Sequence, residues 1–262
     1  TGNYLLSVLV NGNSLATRGV AFDGEVEDYV QNVVAADFGD APNSYGTSLI
    51  ANGARHPAGP IRLGAAIDSE INALPDNDAR SDDNLGVPDD EDGVTFAGFT
   101  QAQLPVLATG DFVTISFVSS QSNVWLQGWL DYNRNGLFEA SEKIVSNKPL
   151  PAGANSATIQ INPAAVLGLT YARFRVSSEQ NLPPTGTAWD GEVEDYKVQI
   201  IGGFDFGDAP DFNSQSPPDY STILNPLDDP DPGPQHIITG LYLGQKIDHE
   251  PDGVPLLHAL GD

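Results

Sequence analysis

The sequence predicts an all-β protein made of tandem antiparallel β-sandwich modules, Ig-like or jelly-roll-like, with long acidic loops. Short runs that alternate between apolar and polar residues recur along the chain, and Gly, Pro, Asn and Asp separate them. Few stretches have the period of a helix. The hexapeptide Gly-Glu-Val-Glu-Asp-Tyr occurs twice, at residues 24–29 and 191–196, which indicates a repeated unit of domain size.

Seven segments have the composition of β-strands, because they are rich in Val, Ile, Phe, Tyr and Trp. They are residues 4–10, 25–34, 112–118, 124–130, 157–161, 171–177 and 193–201. A further short strand is expected at residues 143–145. The strands between residues 104 and 201 suffice for one antiparallel sandwich, and the first two segments resemble the last two strands of another.

The repeat divides the chain into three parts. A second motif, Asp-Phe-Gly-Asp-Ala-Pro, follows each hexapeptide, at residues 37–42 and 205–210, and has the Gly and Pro of a turn at the start of a domain. The expected parts are residues 1–36, the last strands of a preceding repeat; residues 37–202, a complete repeat; and residues 203–262, the N-terminal part of a following repeat. Within the complete repeat, residues 37–98 are acidic and loop-rich, and residues 99–202 form the sandwich.

The chain carries 36 acidic and 11 basic residues, a formal net charge of −25. A chain this acidic repels phosphate groups, so nucleic acid is not an expected partner, and no apolar run is long enough for insertion into a membrane. Charge of this size also destabilises a compact state unless it is neutralised, and divalent cations can neutralise it. Cysteine is absent and no His pair has zinc spacing, so a zinc site is not expected.

Residues 131–142 have the pattern of a twelve-residue calcium loop, in which oxygen ligands alternate around a tight turn. The ligand positions 1, 3, 5, 7, 9 and 12 are held by Asp131, Asn133, Asn135, Leu137 (through its backbone carbonyl), Glu139 and Glu142. Gly136 stands at position 6, where the turn needs a glycine. The alternative is a polar turn between two strands, capped by its own Asx side chains. The match to the whole template favours Ca²⁺.

The second hexapeptide offers further carboxylates. Alternation along a strand places Glu192 and Glu194 on one side and Asp195 on the other, and one of them could complete a metal shell with the 131–142 loop. The alternative is a solvated sheet face whose carboxylates pair with arginines such as Arg173 and Arg175. Both interpretations are open at this point.

An acidic cluster at residues 89–92 is a further calcium candidate through Asp89, Asp90 and Asp92, with a solvated charge run as the alternative. Close carboxylates could also be the acid and base of a hydrolase. Because the same pair recurs in each repeat, an active site is disfavoured, and we predict no catalytic residue.

Several larger side chains are expected to have structural roles. His56 and His236 hold equivalent positions in the two repeats and are expected to make structural hydrogen bonds. Trp125, Trp129 and Trp189 are expected to pack in the core or against the sheet rather than to form a sugar-binding platform.

Taken together, residues 38–42, 53–56, 89–94, 129–138 and 191–196 resemble the GEVED domain family. The resemblance implies a β-rich, usually non-catalytic module that is repeated in large secreted or surface proteins of bacteria. Proteins with this module look like adhesins or components of an extracellular matrix. The chain is therefore expected to be extracellular or at the cell surface, possible partners being other copies of itself or surface glycans.

The repeat frame leads to a functional hypothesis. Two strands of a sandwich without the rest leave open edges, and a neighbouring copy could supply the missing strands by strand addition. The expected function is an extracellular structural subunit, stiffened by calcium, that assembles head to tail into a filament or surface fibre. The alternatives are a fragment of a long tandem-repeat adhesin and a secreted carbohydrate-binding or carbohydrate-active module.

Overall fold

A computed structural model gives the architecture of the chain. For residues 2–10 and 25–33 it describes the backbone alone. It describes residues 36–67, 69–80, 91–100, 102–209 and 234–238 in full, together with residues 241, 243, 247, 249, 250 and 253. The described regular structure is almost entirely β, and the described helical segments are single 3₁₀ turns. The all-β prediction is therefore confirmed. No helix within the described ranges is long and apolar enough to cross a membrane.

The largest sheet has five strands in the order β6-β12-β11-β8-β9. These strands are β6 (Val106–Ala108), β8 (Val124–Leu130), β9 (Lys143–Leu150), β11 (Gly168–Ser177) and β12 (Glu192–Ile201). Their neighbours run antiparallel, except that β6 lies parallel to β12. The second hexapeptide forms the beginning of β12, next to the central strand of the sheet.

A three-stranded sheet in the order β10-β7-β5 forms the other layer of the sandwich. Its strands are β5 (Val94–Phe96), β7 (Phe112–Ser119) and β10 (Gly153–Gln160). The core between the layers is apolar and aromatic, and Phe174 at its centre lies 5.7 Å from Phe117 and 6.2 Å from Phe96 between ring centroids. Alternation along β11 directs Ala172, Phe174 and Val176 into this core.

The opposite face of the five-stranded sheet is covered as well. Residues 36–57, which we call the latch, contain β3 (Ala36–Phe38) paired antiparallel with β4 (Arg55–Pro57), and both strands contact β12. Beneath the latch a small cluster buries Ala41, Tyr45, Trp129 and Phe138. The five-stranded sheet is therefore buried on both faces around its central strands. This explains why polar residues in β11 and β12 are not in solvent.

Two further pairs of strands complete the described structure. β1 (Gly2–Val10) pairs antiparallel with β2 (Glu25–Val33), which carries most of the first hexapeptide. Near the end of the chain, β13 (Phe204–Phe206) pairs antiparallel with β14 (Gln235–Ile237).

Each of the seven predicted strands is present, with ends that differ by a few residues. β9 extends to Leu150, well beyond the short strand expected at 143–145. Its sequence, Lys-Ile-Val-Ser-Asn-Lys-Pro-Leu, has weak alternation, and its pairing with β8 is irregular around Gly128. It is an edge strand, where a proline is tolerated because one side of the strand needs no ladder hydrogen bond.

Candidate functional site

The second hexapeptide lies where β11 and β12 pair side by side. In the register of this pair, Arg173 stands opposite Asp195, and Arg175 stands opposite Val193. Because side chains alternate, Asp195 and both arginines face the latch, whereas Glu192 and Glu194 face the core side with Val198 and Ile200. One strand thus presents carboxylates to both of its neighbouring layers.

A fully buried ion pair joins the two strands on the latch side. Arg173 donates from Nε to Asp195 Oδ1 and from Nη2 to Asp195 Oδ2, both at 2.7 Å, and both side chains have 0 % exposure. Three further hydrogen bonds reach the latch, since Nη1 donates to the carbonyls of Tyr45 (3.0 Å) and Gly46 (2.9 Å) and Nη2 donates to Thr47 Oγ1 (3.1 Å). Nη1 also donates to the carbonyl of Pro184 (2.9 Å). A buried charge pair is stable only when its polar atoms are satisfied in this way.

The two repeated motifs contact each other directly. Asp37 of the Asp-Phe-Gly-Asp-Ala-Pro motif accepts a hydrogen bond from the backbone of Val193 (2.6 Å), and Asp195 accepts one from the backbone of Ala41 (2.9 Å). A Cβ on Gly39 would lie 2.3 Å from Asp195 Oδ2, closer than any real contact. These contacts hold the Asp-Phe-Gly-Asp-Ala-Pro motif of the latch against β12.

His56 connects the latch to the second arginine. Its Nε2 accepts a hydrogen bond from Arg175 Nε (3.0 Å), so the ring is neutral, with its proton on Nδ1 and donated to the carbonyl of Asp190 (2.6 Å). Burial, and then the charge of Arg175, hold the pKa of His56 well below its ordinary value of 6.5. The structural hydrogen bonds expected for this histidine are therefore present. Gly191, at φ +102°, is needed where the chain passes beside the ring.

Glu192 and Glu194 bind the acidic segment outside the latch, at Leu63 and Gly93. Glu192 accepts a hydrogen bond from the backbone of Leu63, and Glu194 accepts one from the backbone of Gly93 (2.9 Å) and one from the Tyr196 hydroxyl (3.0 Å). Both glutamates have 0 % exposure. Their burial excludes the solvated-face interpretation, whereas a contribution of either glutamate to a metal shell stays a prediction.

The 131–142 loop connects β8 to β9 and has a fully buried first residue. Asp131 Oδ2 accepts hydrogen bonds from the Gly136 amide (3.0 Å) and from the Tyr45 hydroxyl (2.8 Å). Asp131 Oδ1 is also buried and has no hydrogen-bond partner. Burial and the nearby Asp131 raise the pKa of the Tyr45 hydroxyl, so this group stays a hydrogen-bond donor. An unpartnered buried carboxylate oxygen is costly and is the feature that a cation would relieve.

Within the loop, side chains and backbone form a chain of local turns. Asn133 Oδ1 accepts from the amide of Asn135, and Asn135 Oδ1 accepts from the amide of Leu137, both at 2.9 Å. Asn133 Nδ2 donates to Glu139 Oε2 (2.8 Å). These are the Asx turns of the alternative interpretation. The same hydrogen bonds hold the residues predicted as calcium ligands together in one compact loop.

Glu142 closes the loop by accepting backbone hydrogen bonds. Its carboxylate accepts from the amides of Tyr132 (3.0 Å), Asn133 (3.2 Å) and Glu139 (3.0 Å), the last as part of a capping box on a 3₁₀ turn. Burial raises the pKa of Glu142, and the nearby Asp131 raises it further. A bidentate contact to a cation would use the remaining lone pairs of these oxygens.

The family model of the GEVED domain matches residues 125–199. This segment is a GEVED domain. The match begins in β8 and ends in β12, so it contains the 131–142 loop, both arginines and the second hexapeptide. No match was found among curated proteins or among solved structures.

The remaining candidates lie outside the GEVED domain. Asp92 accepts hydrogen bonds from the amides of Ala65 (2.9 Å) and Ala66 (3.3 Å), so it caps a turn of the acidic segment. Asp89 and Asp90 lie outside the described residues. Among the residues that the structure describes, no three His, Asp or Glu side chains form a metal cluster, so a cation in the loop would also need amide and carbonyl oxygens.

Tyr45 is the functional residue that sequence reasoning missed. Its hydroxyl contacts Asp131 of the loop while its carbonyl accepts from Arg173, so it links the loop to the ion pair. Nothing in its local sequence signals this, because both partners are more than 80 residues away. Of the tryptophans, Trp129 is buried as expected, but the prediction for Trp189 was wrong, since it is 84 % exposed.

Removal of one partner of the buried ion pair should be strongly destabilising. We expect Arg173→Met to lower the free energy of unfolding by about 3–5 kcal/mol, because it leaves Asp195 buried and uncompensated. The measurement is urea denaturation followed by tryptophan fluorescence. The matched control is Lys197→Met, which removes the exposed contact to Asp78 and should leave the midpoint unchanged. Equal effects of the two substitutions would contradict the assigned role of the pair.

The buried neutral His56 should make stability dependent on pH. Below pH 6.5 the unfolded chain binds a proton on His56 that the folded chain does not, so stability falls as pH falls, by up to about 1.4 kcal/mol per pH unit. Urea denaturation between pH 7 and pH 5 should show this slope in the parent and a shallower one in His56→Gln. His236→Gln, at an exposed histidine, is the control and should keep the parental slope. Identical slopes in the parent and His56→Gln would argue against a neutral His56.

Proposed function

We propose that this chain is a non-catalytic structural module of a secreted or cell-surface bacterial protein, built from repeating GEVED-type units. The observation that carries the proposal is how the repeated motifs use their carboxylates. Asp37, Glu192, Glu194 and Asp195 accept hydrogen bonds from backbone amides or from Arg173 and are buried. Such groups hold segments together and are not accessible to a substrate.

The electrostatics argue against nucleic acid or an anionic membrane surface as the partner of this module. A net charge of −25 keeps the surface strongly hydrated and soluble. The buried carboxylates of the second hexapeptide, by contrast, accept hydrogen bonds from backbone amides, from Tyr196 or from Arg173. Joining such units in tandem or head to tail is consistent with the two strand pairs, β1–β2 and β13–β14, that flank the sandwich in sequence.

Calcium is the proposed ligand of the 131–142 loop. Asp131 Oδ1 would be the first ligand, since it is buried without a partner, and the oxygens of Asn133, Asn135, Glu139, Glu142 and the Leu137 carbonyl would complete the set. Hard oxygen donors of this kind suit Ca²⁺ better than softer metals. Binding would offset the repulsion between Asp131 and Glu142, and through Tyr45 it would stabilise the contact of the loop with the latch.

Calcium should therefore raise the melting temperature of the intact chain. Binding to the folded state alone stabilises it by about 2.7 kcal/mol at a ligand concentration of about a hundred times the dissociation constant. Scanning calorimetry with Ca²⁺ and with a chelator should show this shift in the parent and its loss in Asp131→Asn. Asp78→Asn removes the same charge at an exposed site and should retain the shift. A parental melting curve that is insensitive to calcium would reject the metal site but not the structural role.

Surface location is tested on the source cells. Mild protease treatment of intact cells should release peptides of this chain, detected by mass spectrometry, while a cytosolic marker protein stays intact. Recovery of this chain only after lysis would contradict the proposed location.

A further inference from the structure

Among the described strands, the sandwich has four at the edges of its two sheets, and three of these are protected against pairing with another chain. β5 and β6 have three residues each. β9 is longer, but it contains Lys143, Lys148 and Pro149, and its pairing with β8 is irregular. Short length, lysine, proline and irregular pairing are the means by which natural proteins protect the edges of sheets.

β10 is the fourth edge strand and has none of these features. It is eight residues long, contains neither lysine nor proline, and pairs with β7 in an unbroken register from Gly153 to Gln160. Of its eight residues only Ile159 is buried. A long, regular and unprotected edge is a template for pairing with a further strand.

The backbone groups of alternate residues in β10 point away from β7. Just past the end of the strand, the Ile161 amide donates to the carbonyl of Asp111 (2.8 Å), so the backbone of Ile161 faces the β7 side. Because the strand alternates, the backbones of Ala154, Ser156 and Thr158 face the opposite way. No described residue forms a backbone hydrogen bond with these three from the free side of β10.

The partner strand gives the same alternation. The carbonyl of Thr114 in β7 accepts from the Ala97 amide (2.9 Å), which lies on the side of β5. Thr158 stands opposite Thr114. In an antiparallel pair, two opposite residues either bond each other or both point away, so the backbone of Thr158 points to the free edge.

This edge also lacks charge. Residues 149–172 contain no Asp, Glu, Lys or Arg, although these residues make up 18 % of the chain, and β5 and β7 contain none either. Two copies that each carry −25 repel one another where their acidic surfaces meet. The three-stranded sheet is therefore a surface at which two copies can approach without bringing like charges together.

Hydroxyl side chains run across the outer face of the same sheet. Thr95 stands opposite Ser116, and Ser116 stands opposite Ser156, so one row crosses all three strands. In the next row, the hydroxyl oxygens of Thr114 and Thr158 are 3.1 Å apart. Cross-strand pairs of Ser and Thr stabilise a sheet. The first row ends at the free edge with Ser156.

We propose that β10 pairs antiparallel with β10 of a second copy of this chain, which joins the two three-stranded sheets into one. In the register that uses all the outward-pointing groups, Ser156 stands opposite Ser156 of the second copy, and Ala154 stands opposite its Thr158. The pair has two-fold symmetry, so each contact occurs twice. The inference rests on the proposed structural function, to which it adds a lateral contact between copies.

The chemistry of the edge favours a second copy over a different partner. A second β10 supplies an N–H and a C=O opposite each outward-pointing residue at the same spacing, and it continues the hydroxyl row through Ser156. The net charge would attract a basic partner, but β5, β7 and β10 offer such a partner no carboxylate. The contact is small, so we expect association in the micromolar range.

Sedimentation velocity of the full chain at physiological salt, up to about 200 μM, tests the pairing. The parent should form a dimer as concentration rises. Ser156→Pro removes an amide that faces the free edge, so it should weaken the dimer by about tenfold while the hydrogen bonds to β7 remain. Ser156→Lys places two like charges directly opposite one another and should weaken it by about fivefold. Ser116→Lys puts the same charge on the same face, one strand away from the edge, and should dimerise like the parent.

The register is tested separately, because the chain contains no cysteine. Under mild oxidation Ser156→Cys should form a disulfide-linked dimer, since the proposed symmetry brings the two thiols within reach of each other. Ser116→Cys is the matched control and should stay largely monomeric at the same concentration. Non-reducing electrophoresis measures both, and circular dichroism confirms that each variant is folded.

A parent that stays monomeric would overturn the proposal and leave the edge to a strand of another protein. A dimer that neither Ser156→Pro nor Ser156→Lys weakens would also overturn it, since the copies would then associate through another surface. Equal crosslinking of Ser156→Cys and Ser116→Cys would reject the register. None of these outcomes affects the calcium or surface measurements, so failure of the pairing and failure of the structural function are distinguishable.

Discussion

The buried pair of Arg173 and Asp195 is the interaction on which the rest of the unit depends. Ions removed from water are stable only if the protein replaces their hydration, and here the replacement comes from two directions. Asp195 belongs to the sheet, but the carbonyls of Tyr45 and Gly46 that satisfy Arg173 belong to the latch. Neither part can bury this pair alone. The latch and the sandwich are consequently one folding unit, although the family match covers only the sheet side.

The second hexapeptide makes contacts on both faces of β12. On one face Asp195 engages the latch, and on the other Glu192 and Glu194 engage amides at Leu63 and Gly93. Carboxylates are suited to this task since each oxygen accepts more than one hydrogen bond. A single short sequence thereby holds two separate stretches of the chain, the latch on one face of the sheet and the segments around Leu63 and Gly93 on the other.

Whether the sequence predicts a feature of this molecule depends on how far apart in sequence the interacting residues lie. Strands such as β7, β8 and β11 follow from alternation, which is local, and the turns of the 131–142 loop follow from its Asn and Gly spacing. The burial of Glu192 and Glu194 could not be predicted, because charged residues in a strand ordinarily indicate a solvent face. The amides of Leu63 and Gly93 that they bind lie more than 100 residues away, and backbone groups leave no mark in the sequence. Occupancy of the loop by calcium stays a prediction.

The separation in sequence between the latch and β12 has a consequence for how the chain folds. The contacts of Asp37 with Val193 and of Ala41 with Asp195 span 156 and 154 residues. Because β12 is the last strand of the sandwich to be synthesised, the latch has no place to dock until the whole unit has been made. Such nonlocal closure is slow, since loop entropy is lost before the contacts form. With this connectivity, the unit cannot close until β12 has been synthesised, although the latch is synthesised first.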